Sequence, residues 1–92
     1  MSRHVIQSGI PGVFYRRPGP GEPVFVEENQ RVEAGDTVGL VEIMKSFHPV
    51  VADVSGTLTR FLTEHEAEVV PGQEIAEVAE DRLEQNTSKE AE

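Results

Sequence analysis

The apolar residues of this chain fall in short runs, and glycine or proline cuts most of them off before they reach the ~11 residues of an average helix. His4 to Gln7, Val13 to Tyr15, Val24 to Glu27, Thr37 to Ile43, Phe47 to Ala52 and Thr57 to Leu62 are rich in Val, Ile, Phe, Tyr and Thr. Branched and aromatic side chains suit a pleated, half-buried surface, so these runs predict strands. One stretch is ambiguous on its own, because Ile75, Val78, Ala79 and Leu83 also fit the spacing of a short helix.

An internal repeat resolves that stretch. Val26 to Val41 aligns with Thr63 to Val78 at a constant offset of 37, placing Val32 on Val69, Gly35 on Gly72, Val38 on Ile75 and Val41 on Val78. Each copy reads as strand, glycine turn and second strand. A weaker match sets Ile6 on Val50, Ile10 on Val54 and Gly12 on Gly56. The chain is thus two similar halves, neither able to bury its apolar face alone. Together, related by a pseudo-twofold axis, they predict an all-β sandwich or flattened barrel.

Composition narrows the function. With 92 residues there is room for one domain with a thin core. We expect it to occupy residues 1 to 80, with 81 to 92 a polar, acidic frayed tail. Seventeen acidic against eight basic residues give a net charge of -9, which disfavours nucleic acid and anionic membrane surfaces as partners. Absence of cysteine excludes disulfides, thiolate nucleophiles and cysteine-ligated zinc. The first residues lack the apolar run of a secretory signal, and a cytoplasmic location is the expectation. No serine sits among nucleophile-elbow glycines, and single scattered histidines make neither a triad nor a metal site.

Of the eight basic residues six are arginine, and the two lysines are Lys45 and Lys89. Lys89 lies in the predicted tail, so Lys45 is the one amine side chain of the predicted folded region. It sits between the runs Thr37 to Ile43 and Phe47 to Ala52, with no glycine, asparagine or proline at the apex. A two-residue hairpin turn of type I′ needs positive φ at both central positions, for which Met44-Lys45 is a poor choice. A local rule broken at an exposed apex suggests function. A protruding primary amine is what an acylating enzyme requires.

Glu42-Ile-Met-Lys45 resembles the biotin-attachment motif Glu-Ala-Met-Lys-Met of biotin carboxyl carrier proteins. The segments Ile6 to Arg16, Phe25 to Val38 and Ala52 to Thr57 are similar to the acetyl-CoA carboxylase type of carrier, so that the resemblance covers roughly residues 4 to 80. It implies two four-stranded antiparallel sheets with pseudo-twofold symmetry, biotin joined covalently to Lys45, and Glu42, Met44 and Ser46 as the surface read by a biotin protein ligase. It also implies two further partners, a biotin carboxylase that loads the arm as carboxybiotin and a carboxyltransferase that unloads it. The carrier itself would be non-catalytic. Arg17 to Pro23 matches the thumb of the acetyl-CoA carboxylase type in length and place, and Pro18, Gly19, Pro20, Gly21, Glu22 and Pro23 would contact the biotin ring. Its prolines should make it stiff.

This sequence departs from the family pattern at Ile43, Ser46 and Glu66, where Ala, Met and Gly are usual. At Glu66 we expect a longer or type I turn, which does not require glycine. Two other readings share the fold: a lipoyl carrier, whose lysine usually lies in Asp-Lys-Ala, and an unmodified barrel-sandwich adaptor with Lys45 bare.

Overall fold

The computed structural model describes residues 2–81. The tail expected beyond residue 80 therefore lies almost wholly outside the described residues, as does Leu83. Eight strands follow one another: β1 Arg3–Gln7, β2 Gly12–Tyr15, β3 Gln30–Val32, β4 Thr37–Ile43, β5 Ser46–Val51, β6 Gly56–Phe61, β7 Glu68–Val69 and β8 Glu74–Glu80. They form two four-stranded antiparallel sheets, ordered β1-β8-β6-β3 and β5-β4-β2-β7. Exchanging the first four strands for the last four turns one order into the other, which is the pseudo-twofold expected from the repeat.

The repeat holds in atomic detail. Val32 and Val69, Val38 and Ile75, and Val41 and Val78 are all buried in the core between the sheets. Phe14, Leu58, Val26 and Ile6, with Val50, Ala52 and Ala76, complete that core. Gly35 and Gly72 have φ of 97° and 88°, each third in a turn closed by Asp36 N–H to Glu33 O at 2.9 Å or Gln73 N–H to Val70 O at 2.9 Å. Gly12 and Gly56 are required for a different reason. A Cβ on Gly12 would meet the carbonyl oxygen of Glu42, and one on Gly56 that of Ala79, itself 37 residues after Glu42.

Two expectations are corrected. Val24 to Glu27 does not form a strand; the ladder of that region begins at Gln30. Its apolar pattern reflects burial of Val26 and partial burial of Phe25 against the core, while Phe25 N–H bonds Arg16 O at 2.9 Å to close a loop instead of joining a sheet. Glu66 does occupy a position that favours glycine, with φ 69°. It is third in a turn closed by Ala67 N–H to Glu64 O at 3.2 Å, and its repeat mate Asn29 has φ 70° in the matching turn from Glu27 to Gln30. The segment read as helix or strand is strand β8, which pairs with β1 on one side and β6 on the other.

Candidate functional site

β4 and β5 pair down to Ile43 opposite Ser46, leaving Met44 and Lys45 as the whole turn. Their φ values, 51° and 71°, are those of a type I′ turn made without glycine, asparagine or aspartate. Left-handed backbone costs a side-chain-bearing residue roughly 1–2 kcal/mol. Met44 is 92% exposed, and Lys45 and Ser46 are exposed beside it. Among the described residues no ion pair engages the Lys45 ammonium. The apex therefore presents a free amine on a short, stiff support.

The support is built from β2. Val13 lies opposite Glu42 and Tyr15 opposite Leu40, so alternation puts Tyr15 and Glu42 on one outward face. Tyr15 Oη donates to Glu42 Oε1 at 2.9 Å. That bond to a carboxylate, with lesser contributions from burial and nearby negative charge, raises the Tyr15 phenol above its ordinary value of 10.0. Phe47, opposite Glu42 on β5, sets its ring 6.1 Å from that of Tyr15. His65 meets the Tyr15 ring edge-on at 5.7 Å.

The thumb stands over this face. Gly19 O accepts from Glu22 N–H at 3.1 Å, and Pro20 followed by Gly21 at φ 79° is the residue pattern of a type II turn. Arg17 Nη1 donates to Glu22 O at 3.2 Å. At the base, Arg16 lays its guanidinium 4.2 Å from the Phe61 ring centroid and donates to Val26 O at 3.3 Å. Backbone and side-chain bonds, as well as proline, thus hold the loop. Arg17, Pro18, Gly19 and Pro20 close a cleft of about 330 Å³ whose other walls are Tyr15, Phe47, His65 and Glu66.

Of the residues singled out in the sequence, Lys45, Met44 and Ser46 are together at the tip and Glu42 is anchored just below. Pro18, Gly19 and Pro20 face the cleft, while Gly21, Glu22 and Pro23 belong to the thumb's turn and returning segment and do not line it. Tyr15, Phe47, His65 and Glu66 were missed. They come from three separate segments, and the broken glycine preference at Glu66 was the signal that could have marked one of them.

The family model described as "Biotin-requiring enzyme", of the biotin/lipoyl group, matches residues 4–78, and the chain belongs to that family. It is similar to the biotin carboxyl carrier protein of acetyl-CoA carboxylase from Nostoc sp., 38% identical over 76 residues, covering 83% of this chain and 42% of that protein. The Haemophilus influenzae protein of the same name is 39% identical over 62 residues, 67% of this chain and 40% of that one. The chain thus spans less than half the length of these relatives. Among solved structures, the urea carboxylase of Kluyveromyces lactis superposes with a TM-score of 0.71 at 25% identity, over 86% of this chain and 6% of that one. A single-chain, multi-domain long-chain acyl-CoA carboxylase gives 0.71 at 16% identity over 94% and 8%, a likeness of fold.

Proposed function

We propose that this chain is the biotin carrier domain of a biotin-dependent carboxylase, with biotin joined by an amide to Nζ of Lys45. The observation that carries the reading is the apex itself: a lone lysine, exposed and unpaired among the described residues, in a strained type I′ turn inside Glu42-Ile-Met-Lys45. The residues present fit the group. The amine is free to be acylated, and the adjoining cleft has aromatic and proline walls and lies at the small end of ligand-site volumes.

When bound, biotin supplies a ureido ring that carries a carboxyl group between two active sites. This chain's residues do the mechanical work. Lys45 tethers the arm, and the two-residue turn keeps its root fixed while the β4–β5 ladder and the Tyr15–Glu42 bond hold that turn to the sheet. Glu42, Met44 and Ser46 form the surface offered to a biotin protein ligase, and the thumb offers the ring a place to rest. Tethering raises the effective concentration at each site to the millimolar range. Biotin carboxylase and carboxyltransferase components are the partners, and the domain contributes no bond-making group of its own.

Intact mass after co-expression with a biotin ligase and biotin tests this. One added biotin is expected, and none in Lys45→Arg with its fold retained. An unmodified mass for the unaltered chain rejects the carrier reading; biotin persisting in Lys45→Arg rejects the site.

A further inference from the structure

Four side-chain-bearing residues among those described have positive φ: Asn29, Met44, Lys45 and Glu66. Asparagine adopts that region with ease, and Met44 and Lys45 belong to the attachment hairpin. Glu66 is the remaining outlier. Its repeat mate shows that asparagine suits this turn and glycine would suit it better, so the carboxylate is held there against local preference. Strain kept at one position points to a task for that side chain.

What Glu66 stands beside suggests the task. His65 Nδ1 accepts the backbone N–H of Arg16 at 3.0 Å, which puts the ring proton of the neutral imidazole on Nε2. Nε2 itself lies 3.6 Å from Glu66 Oε2, too far for a good hydrogen bond. No side-chain hydrogen bond among the described residues uses either group, and both residues line the cleft under the thumb. One end of the cleft thus offers an N–H donor and a carboxylate acceptor side by side. Tyr15, Phe47, Pro18 and Pro20 provide apolar walls, and Arg17 and Gly19 complete the lining.

We infer that His65 and Glu66 form a docking subsite for a cyclic urea, His65 Nε2–H donating to the urea carbonyl and the Glu66 carboxylate accepting from a urea N–H. A urea presents just that neighbouring acceptor and donor, and a fused hydrocarbon-like ring behind it matches the aromatic and proline walls. Phe47 is two residues from Lys45, about 7 Å along the strand, so a ring on the lysine arm can fold back into the cleft. The inference rests on the carrier reading and adds a polar end of the site supplied by residues outside the thumb.

The test uses the full chain biotinylated on Lys45, with the mass confirmed. We expect nuclear magnetic resonance to show the Arg16 amide and the His65 imidazole shifting on biotinylation. Exchange of the ureido N–H should slow about 2- to 10-fold against free biotinamide, the effect of one net hydrogen bond. Glu66→Gly, which relieves the strained backbone and so keeps the fold, should restore fast exchange, and His65→Phe should do the same. Shifts confined to residues 43 to 47, or slow exchange surviving in Glu66→Gly, would overturn the subsite. If no biotin is found on Lys45 the carrier reading fails separately. Biotinamide added at millimolar concentration to the unmodified chain then decides the subsite: Arg16 and His65 shifts that vanish in Glu66→Gly uphold it, and their absence refutes it.

Discussion

Tyr15 and Glu42, on neighbouring strands and 27 residues apart in the chain, are joined by a 2.9 Å hydrogen bond from phenol to carboxylate. The bond ties the end of the β4–β5 hairpin, just below the Met44-Lys45 turn, to β2, the strand that leads into the loop of residues 17–23. It also sets the Tyr15 ring between Phe47 and His65, so the wall of the cleft and the base of the hairpin share one side chain.

Tyr15 is the chain's single tyrosine, so its titration can be followed directly by phenolate absorbance. The phenol is raised above 10.0 chiefly by donating to Glu42. A proton held more tightly in the folded state means that the bond is intact below pH 10 and its stabilisation is lost as pH rises through the elevated value. Glu42→Gln should move the midpoint down toward 10.0. An unchanged midpoint would show that the carboxylate does not govern Tyr15.

Replacing Met44-Lys45 by Asn-Gly gives the turn residues that type I′ geometry prefers. The double variant should be more stable by about 1–2 kcal/mol, with a Tm rise of about 4–8 °C for each kcal/mol in a domain of this size. It should incorporate no biotin. Thermal unfolding and intact mass measure the two effects, and a fall in Tm would show that the apex is not strained.

The repeat was legible because it is written in residues with few substitutes: valines and isoleucines facing a core, and glycines where φ is positive or a backbone presses close. Lys45 was legible by position and scarcity. Val24 to Glu27 misled because apolar alternation reports burial, and Val26 is buried without being paired. The cleft was illegible because Tyr15, Phe47 and His65 meet only through the sheet register and the Glu64–Ala67 turn. Nothing in the local sequence around any one of them names the others.

Glu77, mostly buried on β8, accepts from Arg60 Nε at 2.9 Å, lies 3.1 Å from Arg3 Nη1 and takes a weaker bond from Thr59 Oγ1 at 3.3 Å. The Arg60 bond, opposed by burial and aided by the Arg3 charge, lowers its pKa below the ordinary 4.5. Asp81 is lowered in the same sense by Arg31. A depressed carboxylate contributes stability that is full above its unfolded value and is lost as pH falls through its folded one. Denaturant midpoints should therefore hold steady down to about pH 5 and drop below it. Glu77→Gln should be less stable near neutrality and show a shallower drop; a drop of unchanged steepness would assign the acid sensitivity elsewhere.

Gly56 and Gly9 separate the two uses of glycine in this fold. A Cβ at Gly56 would strike the Ala79 carbonyl and sit 2.9 Å from Glu80 Cα, whereas one at Gly9 meets nothing within 4 Å. The Ala79 and Glu80 backbone belongs to a strand paired on both sides and cannot step back without breaking the β6–β8 ladder. Gly56→Ala should cost about 3 kcal/mol, the upper range for overpacking, and lower Tm by about 12–24 °C. Gly9→Ala, in open space, should stay within about 0.5 kcal/mol of the parent. Because Gly12 is the repeat mate of Gly56 and presses on Glu42, Gly12→Ala should add a local effect that Gly56→Ala lacks: reduced biotin incorporation at Lys45 in the fraction that remains folded. Equal incorporation per folded molecule in the two variants would show that the close approach at Gly12 serves stability alone.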